Sequence, residues 1–296
     1  GQAVFQLMPP MSRGLLALAA LVLAGCEARL NVEVSRGDAL TLTAFSPRIT
    51  GLILQRSDGS TVTLRGDALT AREWMALDPG ETVPLFDDLE INTGRFTGAA
   101  LTFDSDGGTV TTDIDDTALT LVPADGRFGS IDLQVNEDDT ATLHVVLEPQ
   151  FSVTDQRNTA QNRARFLPVV RAGTPDRLAD IGGRVAAALV QGANCRNSGA
   201  PAEGAAIYAF GQHDLSSLGD FIEGAELNPV ALAAIRFDAD NSRYDYRLRD
   251  LPPGDYTLGL FCLADADTPV GAEGLTALRN VERVLDGSDL TVDFLN

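Results

Sequence analysis

Lysine is absent from this chain. All 22 of its basic residues are arginines, set against 42 aspartates and glutamates, for a formal net charge of −20. Such a surface repels phosphate, which excludes nucleic acid and makes acidic or anionic-lipid partners unfavourable. Aromatic residues are only 6% of the chain, with a single Trp, so rings for ligand stacking are scarce. There are two His, His144 and His213, and three Cys, too few for a disulfide-dense or multi-metal scaffold. The chain carries no Gly-x-Ser-x-Gly elbow, His-Glu-x-x-His helix, Cys-x-x-Cys pair or phosphate-cradling glycine loop. Helical periodicity is equally sparse.

The apolar stretch Leu15–Leu23 is nine residues long, well short of the roughly 20 needed to cross a bilayer. It follows Met11-Ser12-Arg13 and precedes Leu23-Ala24-Gly25-Cys26. A short basic opening, an apolar segment and small residues before a cleavage point are the marks of a secretory signal. The last four residues resemble the bacterial lipobox, which implies that Cys26 is diacylated and that the mature chain starts there. The resemblance further implies a lipid-anchored protein of the bacterial cell envelope. Because Glu27, not Asp, follows Cys26, the outer membrane is the expected destination. Residues 1–10 have no signal character and are expected to lie outside the gene product, with residues 11–25 as the signal peptide. Losing Arg13 with the signal makes the balance one unit more acidic.

Short alternating runs separated by Gly, Asp, Asn and Pro predict an all-β fold of two β-sandwich-type domains. "LNVEV" (Leu30–Val34) alternates apolar and polar residues. Hairpins are predicted at Ser57-Asp58-Gly59-Ser60, at Asp106-Gly107-Gly108 and at Asn136–Asp139. A turn or two of helix is expected around Arg72–Leu77, with Trp74 as a core anchor. A polar, Arg-spaced stretch ends near Gly173, which sets the expected boundary between domains at 26–173 and 174–296. Strands are expected in "GGRVAAALV", "GAAIYAFG", "PVALAAIRFD", "RYDYRLRDLPPGDYTLGLFC" and "LTVDFLN", with an insert at His213–Ala225.

The segment Arg236–Cys262, with Tyr244 and Tyr246 on one strand and Leu251-Pro252-Pro253-Gly254-Asp255-Tyr256 at a corner, resembles the carboxypeptidase-regulatory-like, or transthyretin-like, sandwich. Ser242 stands where that family usually has Gly. The resemblance implies a non-catalytic spacer or binding module, of a kind that binds carbohydrate in some relatives. The first half is similar to the DUF4382 domain of bacterial lipoproteins, on "ALDPGETVPLFDDLEINTGRFTGAALTFD" (Ala76–Asp104) and Leu143–Gly173. The matched features are the Gly94-Arg95-Phe96 corner and a closing motif of Leu167, Pro168 and Arg171. Asp38-Ala39-Leu40 departs from the family's usual Asp-Ala-Pro. This second resemblance implies no catalytic residues.

Four site readings follow from the residues. Cys195 and Cys262, left over once Cys26 is lipidated, make a candidate disulfide, with two separate buried thiols as the alternative. Tyr244 and Tyr246 are candidate sugar-stacking rings if exposed, and core residues otherwise. Asp104 and Asp106, Asp238 and Asp240, with Asp113, Asp115, Asp116, Asn241, Asp265 and Asp267, offer oxygens at alternating spacing for calcium, although no full EF-hand loop follows. His144 reads as a satisfied sheet-face residue rather than a catalytic base. The functional expectation is a non-enzymatic envelope lipoprotein, a binding or structural module for an envelope protein or glycan, needing no cofactor. The alternatives are a carbohydrate-binding module in the C-terminal sandwich and a hydrolase using scattered carboxylates.

Overall fold

A computed structural model of the chain describes residues 27–66, 72–113, 115–124, 126–158, 162–191, 204–212, 218, 221, 227–262, 275–284 and 286–295. The fold is all-β and sandwich-type. The first eleven strands are β1 (Glu27–Arg36), β2 (Leu42–Arg56), β3 (Thr61–Arg65), β4 (Val83–Asn92), β5 (Gly94–Thr112), β6 (Asp115–Pro123), β7 (Gly129–Val135), β8 (Thr140–Leu147), β9 (Val153–Asn158), β10 (Arg163–Phe166) and β11 (Val170–Gly173). They form two sheets, one ordered β11-β8-β1-β4 and one ordered β3-β2-β5-β6-β10-β9, with β7 also paired to β5. A short helix α1 (Pro149–Ser152) links β8 to β9.

The remaining strands are β12 (Ala179–Val185), β13 (Ala206–Phe210), β14 (Ala231–Ala234), β15 (Arg236–Asp238), β16 (Arg243–Leu251), β17 (Gly254–Phe261), β18 (Leu275–Val284) and β19 (Leu290–Thr291). They form the sheets β15-β16-β12-β19 and β14-β13-β17-β18. Helix α2 (Ala187–Gln191) follows β12. The chain thus passes from one pair of sheets to the other between Gly173 and Ala179.

The first core follows from strand alternation. In β1, Ala28, Leu30, Val32 and Val34 are all buried, and the strand lies between antiparallel β4 and parallel β8. Trp74 is buried in a single 3₁₀ turn, Trp74–Ala76, held by the Glu73 side chain accepting from Met75 N at 2.9 Å. The second core packs Ile181, Ile207, Leu248, Leu258 and Phe294 between the C-terminal sheets. A third cluster crosses between the halves. Phe151 of α1 packs with Tyr208, Phe210 and Phe261 of the second half, edge-on to Tyr208 at 5.4 Å between ring centres. Strand β13 is buried on both faces for this reason.

The Asp58-Gly59 hairpin forms as expected between β2 and β3, with Gly59 at φ +85° and Asp58 Oδ1 accepting from Ser60 N at 2.9 Å. The other two predicted hairpins do not form. β5 runs unbroken through Asp106-Gly107-Gly108, and its register against β2 slips there from Ile49↔Phe103 to Pro47↔Gly108. Gly108 serves a bulge: its φ is +95°, and a Cβ would come within 1.9 Å of the Ser46 carbonyl oxygen. Asn136–Asp139 joins β7, paired to β5, to β8, paired to β1 and β11, so this turn crosses between sheets. "AALVQ" (Ala187–Gln191) is also helical rather than extended, forming α2. Gly108→Ala is expected to cost at least about 2 kcal/mol, because backbone conformation and contact both oppose a side chain. Urea unfolding of the variant checks this; a loss below about 0.5 kcal/mol would mean that the bulge relaxes freely.

Candidate functional site

Of four successive residues at the end of β1 and just after it, three pack within the first half and the fourth crosses the seam to the second. Ser35 Oγ lies 2.7 Å from His144 Nε2. Arg36 donates Nε to the Leu77 carbonyl at 2.9 Å. Gly37 leaves room for the Glu148 carboxylate, which a Cβ would strike at 2.2 Å. Asp38 reaches across the seam, accepting from Ala234 N at 2.9 Å and from Arg236 Nη2 at 2.7 Å.

Arg171 is the centre of the seam. Its Nη1 pairs with Glu148 Oε1, and both side chains are buried. Its Nη2 donates to the Arg249 carbonyl at 2.7 Å and its Nε to the Asp250 carbonyl at 3.2 Å. Those carbonyls point at Arg171 because Asp250 sits in the left-handed region, φ 52°, where β16 slips register against β12. Asp180 Oδ1 holds this turn by accepting from Asp250 N at 2.8 Å. Burial pulls the Arg171 guanidinium down to about 10, against the opposing pull of Asp250, which leaves it charged at neutral pH.

His144 lies beside this centre, with Nδ1 3.8 Å from Asp250 Oδ1. The consistent tautomer carries its proton on Nδ1, so that Nε2 accepts from the Ser35 hydroxyl. Burial lowers the imidazole pKa; Arg171 adds to the shift, and Asp250 and Glu33 oppose it. The unfolded chain, with His near 6.5, therefore takes up the proton first. The stability from neutral His144 is complete above about pH 6.5 and is lost as pH falls through that value toward the folded pKa. Wild-type unfolding free energy is expected to decline between pH 7 and 5.5 by at most about 1.4 kcal/mol per unit from this one proton. His144→Gln should flatten that decline; an unchanged slope in urea titrations would exclude His144 as its source.

Beside the seam lies a cleft of about 530 Å³, within the range of small-ligand sites. One wall is the start of β7 and the segment before it, including Arg127 and Phe128; another is Leu167–Thr174, containing β11. The second half closes it with Pro229, Val230 and the Pro252–Tyr256 corner. Phe128 is 41% exposed at this wall. Tyr256 shapes the corner by donating its hydroxyl to the Pro252 carbonyl at 2.5 Å, and burial raises its pKa to about 12. Arg177 spans the rim between Asp132 and Asp286, at 3.1 Å to each. Hydrogen bonds from Arg177 and then Arg95 hold the Asp132 carboxyl below the usual carboxylate range. Three arginines and two aspartates line the cleft, in a chain whose net charge is −20.

The residues singled out from sequence fall elsewhere. Cys26, Cys195 and His213 lie outside the described residues, as do Asp265 and Asp267. Cys262 is buried and disulfide-bonded, and its Sγ lies 3.7 Å from the Leu189 carbonyl oxygen of α2, a few residues before Cys195. Tyr244 and Tyr246 are not exposed sugar platforms. Both are buried, Tyr244 OH accepting from Gln191 Nε2 at 2.7 Å and Tyr246 OH donating to the Val292 carbonyl at 2.6 Å. The strand turns its charged alternates Arg243, Asp245 and Arg247 outward, and the two rings inward.

The acidic turns use their own oxygens. Asp238 Oδ1 accepts from the main chain of Asp240 and Asn241, while Asp106 pairs with Arg48 at 3.0 Å. Asp104 Oδ1 accepts from Ser105 Oγ at 3.2 Å. Among the described residues, no group of three or more His, Cys, Asp or Glu is placed to hold a metal ion. Ser242, in the place of the expected Gly, takes the glycine-like conformation itself, at φ 49°. The sequence reading did not find Glu148, Phe151 or Asp250. Arg171 stood within the Leu-Pro-Arg motif, whose buried closing arginine was the available signal.

No family model matches this chain, and no curated protein matches it. Among solved structures, it is similar to the Bacillus anthracis TIE protein at 10% identity and a TM-score of 0.21, over 91% of this chain and 34% of that one. It spans 93% of a candidate adhesin from Bacteroides ovatus, at 8% identity and a TM-score of 0.20. A fimbrial protein of the same organism follows at 11% identity and a TM-score of 0.15, over 92% of this chain and 51% of that one. Likenesses at these scores carry no argument about function.

Proposed function

We propose that this chain is a lipid-anchored bacterial envelope protein, at the outer membrane through Cys26, whose two β halves act together as a non-enzymatic binding module. The carrying observation is the interdomain cleft, whose walls come from both halves and are held in fixed relation by Arg171, Asp38 and Phe151. A welded seam beside a preformed concavity suits recognition, since little ordering cost remains for a ligand to meet. The resemblances to DUF4382 lipoproteins and to transthyretin-like sandwiches support the same reading, as does the lipobox. Burial of Tyr244 and Tyr246 removes the stacking surface that favoured sugar recognition by the C-terminal sandwich.

Two measurements test the proposal. Mass spectrometry of the N-terminus is expected to show an acylated Cys26; cleavage elsewhere with no acyl mass would remove the anchor. A hydrolase substrate panel is expected to give no turnover. Turnover abolished by a single Asp or Glu substitution would replace the module with the carboxylate-based enzyme.

A further inference from the structure

The cleft between the halves encloses about 530 Å³ of open space, room for on the order of fifteen non-hydrogen atoms at about 30 Å³ each. Its lining is largely apolar: Pro168 and Val170 come from the first half, Pro229, Val230, Pro252 and Pro253 from the second. The prolines among them carry no N–H to offer a ligand.

Most polar side chains of the lining are already spent. Arg171 is committed to Glu148 and to the Arg249 and Asp250 carbonyls. Arg177 and Asp132 neutralise each other, and the Tyr256 hydroxyl is held by Pro252. Asn228 and Asp255 are engaged as well. Arg127 differs: it is exposed on the cleft wall and makes no ion pair with any described residue. The Ser130 and Thr174 hydroxyls, also without a partner among the described residues, are neutral and able to donate. The uncompensated charge of the cleft is therefore positive, in a chain of net charge −20. At physiological ionic strength charges beyond about 8 Å are largely screened. The local cation thus governs a single anionic group, whereas a polyanion would still meet the acidic surface around it. Phe128, next in sequence, adds an exposed ring to the same wall.

We propose, resting on the binding-module reading, that the cleft binds an apolar monocarboxylate: an acyl chain of about ten to fourteen carbons fills the space between the halves, and its carboxylate pairs with Arg127. Burial of the chain supplies the affinity. The guanidinium selects the carboxylate over an uncharged or cationic head.

The test uses the full chain carrying Cys26→Ala, so that neither a protein-bound acyl group nor detergent competes, and sodium decanoate titrated by calorimetry. One saturable site is expected, with the negative heat-capacity change of apolar burial. Decan-1-ol should bind about fivefold more weakly, and decyltrimethylammonium no better than the alcohol. Arg127→Gln removes the charge from an exposed side chain with no described partner to lose, so the fold stands. It should weaken decanoate by the same factor and leave decan-1-ol unchanged. From octanoate to dodecanoate the affinity should rise roughly threefold per methylene. Val230→Trp, which fills the cleft, should abolish binding; should that variant fail to fold, the Arg127→Gln comparison and the length series carry the test. Uptake without saturation, an affinity flat with chain length, or decanoate binding indifferent to Arg127→Gln overturns the carboxylate site. Saturable decan-1-ol binding as tight as decanoate, or glycan-array binding without decanoate binding, likewise overturns it yet leaves the binding module standing, whereas turnover in the hydrolase panel removes the module itself.

Discussion

Arg171→Ala is expected to lower the unfolding free energy by about 3–5 kcal/mol, the cost of leaving a buried charge without its partner. Glu148 is wholly buried, and Arg171 is the cation against it. The same substitution strips donors from the Arg249 and Asp250 carbonyls on the far side of the seam. The loss should therefore fall on the contact between the halves as well as on the first core. Calorimetry is expected to resolve two transitions in the variant, where the wild type unfolds in one. Adding Glu148→Gln should recover part of the loss by removing the stranded charge, though not the carbonyl partners. A cost below about 1 kcal/mol would mean that water reaches Glu148 and that the pair is no lock.

The reason this seam is hard to read from sequence lies in what Arg171 binds. Its partners across the seam are main-chain carbonyls 78 and 79 positions away, in a turn made receptive by the left-handed Asp250. No residue pattern announces a carbonyl. Strand faces are legible where one face is buried: Leu30, Val32 and Val34 alternate with Asn31 and Glu33, and only one register buries the apolar set. Neighbours are less legible. Asn136–Asp139 has good turn chemistry whether the next strand pairs back or crosses to the other sheet, because a period of two names a face and not a partner. Asp106-Gly107-Gly108 misleads in a related way, since a hairpin and a bulge both call for positive φ, and Gly108 serves the bulge. In "AALVQ" the high helix propensity of Ala outweighs the extended run before it. The alternation of Tyr244 and Tyr246 with Asp245 and Arg247 is equally plain in the sequence. Only the second core, with Phe294 5.8 Å from the Tyr246 ring, decides that the rings face inward.

Phe151→Ala is expected to cost about 3–5 kcal/mol, as for other fully buried aromatic side chains. Phe151 is 3% exposed although it belongs to a four-residue helix, because its ring enters the second half. There it meets Tyr208 edge-on, at 88° between planes, and stacks on Phe221 at 5.3 Å. Tyr208 packs on Phe261 in turn, at 4.6 Å, so the cavity left by the ring would open between the halves rather than inside either core. Leu143, Val145 and Leu147 in β8 lose no contact with one another when that ring is removed, so the first core should keep most of its own stability. Limited proteolysis should then cut the stretch between Gly173 and Ala179 faster in the variant. Phe151→Leu, which refills much of the volume, should recover most of both effects. A variant that loses stability uniformly, with cleavage of this linker unchanged, would show that Phe151 serves the first core alone and that Arg171 and Asp38 suffice to hold the halves together.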